Sequence, residues 1–180
     1  MRIGRRGVLA ALAKQRGGGT MDEEIKRRVL RKLPYGMYIM TAAAGGQIAA
    51  STLTWLSQCS FRPPLVMVGI QKGSQMHAIV EAAGSLAVNI LADGQEKIAE
   101  TFFRPVPVEG NRLGAFAFEA GPVTGAPLLL DLPAWFEARV TDSVARGDHT
   151  VFVAQVVNAG LHGADTAALL LSRTRWNYGG

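Results

Sequence analysis

The stretch 52–77 constrains the fold of this chain more than any other segment. It begins with small hydroxyl residues, turns at the double proline Pro63-Pro64, continues into the apolar run 65–70 and ends in a polar Gln-Lys-Gly-Ser-Gln segment. A turn signal followed by a short apolar run predicts a buried strand. Two polar loops joined by one buried strand can together grip a phosphorylated ligand that has an apolar ring.

The basic character of the chain is confined to its first 20 residues. The chain has a formal charge of +5, and residues 1–20 contribute all of it, because they carry five Lys and Arg residues and no acid. In residues 21–180 the other basic side chains are balanced by 14 acidic ones. A neutral domain argues against a nucleic-acid partner. We therefore expect residues 1–20 to be a basic disordered tail and residues 21–180 to form one domain.

Short apolar runs and a single cysteine narrow the class of protein further. No apolar run reaches the roughly 18 residues that a membrane span needs, so we expect a soluble protein with no membrane partner. Cys59 is the only cysteine, which excludes an intramolecular disulfide and leads us to expect a cytoplasmic protein. The histidines His77, His149 and His162 are far apart, so no metal site is predicted. The sequence also lacks the glycine motifs of Rossmann and P-loop sites and the Gly-x-Ser-x-Gly elbow of hydrolases.

Glycines and prolines divide the first half of the chain into short elements. We predict a helix over 22–32, a hairpin of strands 36–43 and 47–54 around Gly45-Gly46, a strand over 65–70, a helix over 76–83 that ends at Gly84, and a strand over 86–91. A further helix over 95–103 is expected to face Ile98, Phe102 and Phe103 inward.

The second half contains the longest predicted strands. Residues 104–127 are rich in Pro and Gly and predict a surface connection with a short strand around Phe116. Strands over 134–144 and 150–159 are joined by a turn at Arg146-Gly147-Asp148, and a last short strand covers 169–171. Many strands without regular βαβ alternation predict a mainly β fold, an antiparallel barrel with peripheral helices.

Three polar segments are candidates for a binding site. The first contains the hydroxyl residues Thr52, Thr54, Ser57 and Ser60, which offer donors and acceptors suited to the pyrimidine edge of an isoalloxazine ring. The alternative is that Thr and Ser simply favour strand edges and turns. Trp55 lies among these hydroxyls and is expected to pack in the core or at a subunit interface.

The second segment, Lys72-Gly73-Ser74, follows a buried strand and precedes a helix. An ammonium, a hydroxyl and the amides of a helix start suit a phosphomonoester. The alternative is an ordinary loop in which Ser74 caps the helix. His77, one turn into that helix, would face either the ligand or the core.

The third segment, Gly147-Asp148-His149, heads the last long strand. A histidine beside a flavin ring can orient a nicotinamide or supply a proton to reduced flavin. The alternative is a hairpin turn in which Asp148 bonds its own backbone.

Together these segments resemble the flavin reductase-like, FMN-binding split-barrel family over residues 33–160. The resemblance is carried by Tyr35-Gly36-Met37-Tyr38, residues 52–64, Val88-Asn89-Ile90-Leu91, Gly125-Ala126-Pro127-Leu128 and Gly147-Asp148-His149. The closest likeness is to the flavin reductase-like module of cyanobacterial flavodiiron proteins, here standing alone. The chain departs from the family at Arg62, where relatives often have an acidic residue, and at Thr54, where they often have Asn.

The resemblance implies a split antiparallel β-barrel that forms a homodimer with FMN at the subunit interface. It implies hydride transfer from NADH or NADPH to FMN, with electrons passed on to an acceptor such as a monooxygenase partner. The catalytic residue would be His149. The cofactor-binding residues would be Thr52, Leu53, Thr54, Trp55, Ser57, Gln58, Gln71, Lys72, Ser74 and His77. A non-catalytic FMN-binding electron carrier or sensor is the alternative function, and a relative that binds haem or a pyridoxal-type cofactor is a third.

Overall fold

The computed structural model describes residues 21–163 and 166–180. The predicted basic tail, residues 1–20, lies outside the described residues. The described residues divide into two compact units, one that includes residues 21–33 with Tyr178–Gly180 and the other within Pro34–Asn177.

The first unit contains helix α1 (Glu23–Leu30). The Asp22 side chain caps it by accepting hydrogen bonds from the amides of Glu24 and Ile25 at 2.9 and 3.0 Å. Acidic residues occupy the first turn and basic residues the last, which complements the helix dipole. The predicted helix is confirmed.

The second unit is mainly β, as predicted. In chain order its elements are β1 (Tyr38–Ala44), β2 (Gln47–Leu53), β3 (Leu56–Phe61), β4 (Pro64–Gln71), α2 (Gln75–Ala83), β5 (Ser85–Ile90), α3 (Glu96–Thr101), β6 (Val108–Glu109), β7 (Arg112–Leu113), β8 (Phe116–Ala120), β9 (Pro127–Leu129), β10 (Ala134–Arg146), β11 (His149–Leu161) and a 3₁₀ turn (Leu171–Arg173). The hairpins β1–β2 and β10–β11 are confirmed.

Seven antiparallel strands form one curled sheet in the order β2-β1-β5-β10-β11-β4-β3. Its two edge strands, β2 and β3, are nevertheless joined by only two residues, Thr54 and Trp55. The edges of a flat sheet of this size would lie about 29 Å apart, whereas the three Cα steps from Leu53 to Leu56 span at most about 11 Å. The sheet must therefore curl until its edges approach each other, although no ladder joins β2 to β3 among the described residues. The result is an open antiparallel barrel.

Helix α2 packs its apolar face against the interior of this curl. Its residues Met76, Ile79 and Val80 are buried in one apolar cluster with side chains from six of the seven strands, and Leu56 of β3 packs against the same cluster. The helix begins after the cap Ser74 and ends at Gly84, whose φ of +61° is the left-handed conformation that glycine tolerates. The helix predicted over 76–83 is confirmed.

A second, four-stranded sheet covers another core cluster. The sheet has the order β6-β7-β8-β9, and the cluster includes Met37, Ile39, Phe102 and Leu129. The predicted short strand around Phe116 is confirmed as β8, but the interpretation of the rest of residues 104–127 as a surface connection was wrong, because β6 and β7 also lie there. Strands of two residues are too short to give a recognisable apolar alternation.

Two further predictions need correction. Phe102 is buried, but Phe103 is 47% exposed and meets the ring of Trp176 edge-on at 4.8 Å. It points outward because α3 ends at Thr101, so the helical periodicity that placed Phe103 inside does not reach it. The predicted strand over 169–171 is a bridge from Leu170 to Gly36 followed by the 3₁₀ turn.

A buried carboxylate on β10 ties the β8–β9 turn to the seven-stranded sheet. Glu137 is 0% exposed, and its two oxygens accept hydrogen bonds from both the amide and the hydroxyl of Thr124 (2.7 Å each), the amide of Val123 (3.2 Å) and the Asn158 side chain (2.8 Å). Burial by itself raises the pKa of Glu137, but these four donors hold that pKa below its ordinary value. A Cβ atom at Gly121 would lie 2.2 Å from the carboxylate, so only glycine permits this approach.

We expect Glu137→Gln to lower the free energy of unfolding by about 2–4 kcal/mol. The amide nitrogen that replaces one oxygen cannot accept a hydrogen bond, so at least one donor from Thr124 or Asn158 would lose its partner. Urea denaturation measures the change. Glu109→Gln, at an exposed position on β6, is the matched control and should leave stability unchanged.

The same comparison has a predicted pH dependence. Because the pKa of Glu137 is lowered by folding, its stabilisation is present above the ordinary value of 4.5 and is lost as the pH falls through the folded-state pKa. The stability difference between the wild type and Glu137→Gln should therefore shrink on acidification. A difference that stays constant from neutral to acidic pH would contradict the assignment of an ionised, hydrogen-bonded carboxylate.

Candidate functional site

The connection between the two edge strands, Thr54-Trp55, is here called the seam. Trp55 lies directly over Gly69 of β4, where a Cβ atom would approach Cε3 of the indole to 3.1 Å. The Trp55 carbonyl accepts a hydrogen bond from the Gly69 amide at 2.9 Å. The absence of a side chain at position 69 therefore makes room for the indole on the outer face of β4.

His149 meets Trp55 from the neighbouring strand. It is the first residue of β11 and pairs with Gln71 of β4. Its ring centroid lies 4.5 Å from that of Trp55, at an interplanar angle of 46°. On the other side, Oδ1 of Asp148 lies 2.8 Å from Nδ1 of His149. This hydrogen bond holds the pKa of Asp148 below its ordinary value, and the imidazole lies between an aromatic ring and a carboxylate.

The loop after β4 lies against the turn that carries His149. The Lys72 amide donates to the Asp148 carbonyl at 3.0 Å, and the Lys72 ammonium donates to the Gly147 carbonyl at 2.9 Å. Ser74 accepts a hydrogen bond from the His77 amide at 3.1 Å and so caps α2. The predicted phosphate loop and the Gly147-Asp148-His149 turn thus form one continuous surface.

His77 links α2 to β11. Its Nε2 lies 2.8 Å from the Thr150 hydroxyl, its Nδ1 lies 3.3 Å from the Glu81 carboxylate, and its ring meets Phe152 at 5.4 Å. Each of these contacts is internal to the fold. They place His77 behind the surface that carries Lys72, with a packing role of its own.

The hydroxyl segment divides into inward and outward residues. Thr52 donates its hydroxyl to the Ala99 carbonyl at 2.7 Å, and Leu53 is buried in the core, so neither side chain faces the outer surface. Ser57 and Gln58 are exposed on β3. β3 was not predicted, because its exposed polar residues resemble a loop more than a strand.

Thr54 has an unusual environment. It is 7% exposed, and its buried hydroxyl has no hydrogen-bond partner among the described residues. An unsatisfied buried polar group costs about 1–3 kcal/mol. A group of this kind in the seam, next to Trp55, is available to a ligand that carries its own donor or acceptor.

The structure therefore brings together Trp55, Gln71, Lys72, Ser74 and His149 at one end of the β3–β4–β11 surface. Gly69 and the Asp148 carboxylate belong to this cluster, and sequence reasoning gave neither a role at the site. The only sequence signal for Gly69 is a glycine that interrupts an apolar strand, which often marks a close approach of another group.

The donor set fits FMN. The Lys72 ammonium and the first amides of the nine-residue helix α2 suit a phosphate, the Trp55 indole suits a flat apolar ring, and the Thr54 hydroxyl is available to a polar ring edge. The described residues contain no group of three or more His, Cys, Asp or Glu that could hold a metal ion. No helix within the described ranges is long and apolar enough to cross a membrane.

Comparison with known proteins identifies relatives along most of the chain. A model described as "Flavin reductase like domain" matches residues 30–180. The chain is 33% identical over 132 residues to a probable flavin reductase of Rhizobium meliloti (strain 1021), covering 71% of this chain and 41% of that protein. It is 30% identical over 152 residues to an NADH-dependent flavin reductase of Pseudomonas fluorescens, covering 84% and 86%. It is also 27% identical over 160 residues to diflavin flavoprotein A 1 of Synechocystis sp. (strain ATCC 27184 / PCC 6803 / Kazusa), covering 88% and 28%. The chain thus spans less than half the length of two of these relatives.

Solved structures share the same architecture. The NADH:FAD oxidoreductase of Streptomyces globisporus C-1027 superposes with a TM-score of 0.72 at 27% identity, covering 86% of this chain and 93% of that one. The styrene monooxygenase flavin reductase of Pseudomonas putida S12 superposes with a TM-score of 0.64 at 27% identity, covering 79% and 88%.

We expect Gly69→Ala to displace the Trp55 indole and to lower the free energy of unfolding by about 1–3 kcal/mol, because the added methyl group overpacks the contact. Thermal denaturation measures the loss. Gly163→Ala is the control, since a Cβ atom there meets nothing within 4 Å. Equal stability of the two variants would mean that Trp55 does not depend on Gly69 for its position.

Proposed function

We propose that this chain, which belongs to the flavin reductase-like domain family, is an NAD(P)H:flavin oxidoreductase that binds FMN. The observation that carries this proposal is the meeting of Trp55, His149 and the loop 72–74 on one surface beside the seam. Its relatives support the same activity, because they include an NADH-dependent flavin reductase and an NADH:FMN oxidoreductase of Rhodococcus erythropolis.

Each part of the surface has a proposed task. Lys72, Ser74 and the start of α2 hold the phosphate, and Gln71 and His77 support that loop. Trp55 and His149 border the ring. The remaining contacts to the ring and ribityl chain come from Thr54, Ser57, Gln58 and the backbone of Thr52 and Leu53, because the last two side chains are committed to the core.

When bound, FMN supplies the hydride acceptor for C4 of the nicotinamide. Such a transfer needs alignment of two rings and no strong acid or base from the protein. His149 orients the nicotinamide, and Asp148 fixes the orientation of His149 through the 2.8 Å hydrogen bond. We propose NADH or NADPH as the donor. A solved complex of the related Streptomyces globisporus enzyme contains NAD and FAD fragments.

We propose that reduced flavin passes to a separate acceptor such as a monooxygenase. One structural relative is the flavin reductase of a styrene monooxygenase, and another is the flavin reductase component of a two-component tryptophan halogenase. We also propose a cytoplasmic location, because an exposed free thiol such as that of Cys59 suits a reducing compartment.

An exposed apolar face supports the proposal of a homodimer. Met67 of β4, Val151 of β11 and Val144 of β10 are 42%, 38% and 52% exposed. The register places Val151 opposite Val144 and Met67 opposite Val153, so these side chains share the outer face with His149. Contiguous exposed apolar groups mark an interaction surface, and a second copy of the chain would cover this one beside the flavin.

The function is tested by flavin binding and nucleotide oxidation together. We expect the wild type to bind FMN and to oxidise NADH or NADPH with FMN present. We expect Lys72→Ala combined with Ser74→Ala to weaken FMN binding more than about tenfold, or 1.4 kcal/mol, because the phosphate loses charge-assisted hydrogen bonds. Fluorescence titration measures the affinity.

The matched control for this test is Lys97→Ala with Thr101→Ala, which removes an exposed lysine and hydroxyl from α3. Unchanged FMN affinity in the Lys72/Ser74 variant would remove the phosphate-loop assignment. Tight FMN binding without oxidation of either nucleotide would favour a non-catalytic flavin carrier or sensor.

We expect the wild type to be a dimer at micromolar concentration and Met67→Glu to shift it toward monomer, because a carboxylate would be buried in an apolar interface. Light scattering measures the mass. Val108→Glu, at a position 44% exposed on the other sheet, is the control and should remain dimeric. A monomeric wild type would leave the proposed interface site without its second wall.

A further inference from the structure

We propose that Lys72 is a positioning residue that couples the flavin phosphate to the orientation of His149. This inference rests on the proposed function and adds an energetic link between its two ligands. Lys72 would transmit the presence of a phosphate on the flavin to the residue that faces the nicotinamide.

Hydrogen bonds join the loop that follows β4 to the turn that precedes β11. Gln71, the last residue of β4, pairs with His149, the first residue of β11. One residue further on, the Lys72 amide donates to the Asp148 carbonyl at 3.0 Å. The Lys72 ammonium then reaches across the turn to the Gly147 carbonyl at 2.9 Å. Lys72 thus holds the turn before His149 with both its backbone and its side chain.

The Lys72 ammonium can serve this carbonyl and a phosphate at the same time. It has three N–H donors, and one of them is used by the Gly147 carbonyl. An exposed lysine has many rotamers, so this bond to a neutral acceptor and the solvent-screened attraction of the Asp148 carboxylate restrain it weakly. A phosphate that accepts the remaining donors would fix the ammonium, and the ammonium would then fix Gly147.

The restraint continues from Gly147 to the imidazole. Gly147 has a φ of +65°, a left-handed conformation that glycine tolerates and that lets the chain turn tightly just before Asp148. The Asp148 carboxylate holds Nδ1 of His149 at 2.8 Å, and the Trp55 ring packs on the imidazole at 4.5 Å. Fixing Gly147 therefore restricts the Asp148–His149 pair, whereas a flavin without a phosphate would leave that pair less restrained.

The first test compares FMN with riboflavin, which lacks the phosphate, in the NMR spectrum of the histidine rings. The chain has three histidines, so His149→Gln assigns the His149 resonance directly. At saturating flavin we expect the wild type to give different His149 shifts with FMN and with riboflavin. The two shifts should coincide in Lys72→Met and differ again in Lys72→Arg, which keeps the charge and the donors. Lys97→Met is the surface control and should behave as the wild type.

The second test is kinetic and also uses saturating flavin, so that flavin affinity does not enter. We expect the apparent KM for NADH to be at least about fivefold lower with FMN than with riboflavin, the lower end of typical couplings between sites. In Lys72→Met the ratio of the apparent KM for NADH with riboflavin to that with FMN should fall below about twofold.

The two tests separate failure of the coupling from failure of the proposed function. Suppose that the wild type turns over and that Lys72→Met gives the same ratio of apparent KM values with the two flavins, and the same two His149 shifts, as the wild type. That result would overturn the coupling and leave the proposed function unaffected. A wild type that oxidises neither NADH nor NADPH would overturn the proposed function, and the His149 shifts would then decide the coupling by themselves.

Discussion

The architecture depends on the seam, the two-residue connection Thr54-Trp55 between strands at opposite edges of a seven-stranded sheet. No flat or gently twisted sheet can satisfy so short a connection, because its edges would be more than twice as far apart as the connection can reach. The sheet must curl, and the curl creates an open barrel whose apolar interior is packed by Met76, Ile79 and Val80 of α2. The packing of the core and the approach of the two sheet edges thus both follow from the short covalent connection between β2 and β3.

The candidate site follows from the same constraint. The seam places the Trp55 side chain on the outer face of β4, where Gly69 leaves space for it. The pairing of β4 with β11 brings His149 into contact with the indole. The Lys72 loop joins this surface because β4 ends where β11 begins. The buried Glu137 carboxylate of β10 anchors the β8–β9 turn of the smaller sheet over the second core cluster. The residues that carry the proposed chemistry are therefore positioned mainly by the order of the strands, and only a few side-chain contacts contribute.

Features set by local sequence could be predicted, and features set by distant partners could not. The Gly45-Gly46 turn, the Ser74 cap and the Gly84 stop act within a few residues, so the elements that they bound were found at nearly the right positions. β3 was missed because an exposed edge strand has polar residues on both faces, and β6, β7 and β9 were missed because each has only two or three residues.

The site shows the same division. The residue types of the candidate site could be proposed from the resemblance, but the hydrogen bonds of Thr52 to Ala99, of His77 to Thr150 and of Lys72 to Gly147 depend on elements that are distant in sequence. The packing of Trp55 over Gly69 likewise joins two segments through the fold.

The most direct measurement of the central claim is an anaerobic absorbance spectrum of the purified protein with FMN, recorded before and after addition of NADH and then of NADPH. We expect flavin bands perturbed by the protein that bleach faster than those of free FMN on addition of at least one nucleotide. Flavin bands identical to those of free FMN, with no protein-dependent bleaching by either nucleotide, would contradict it.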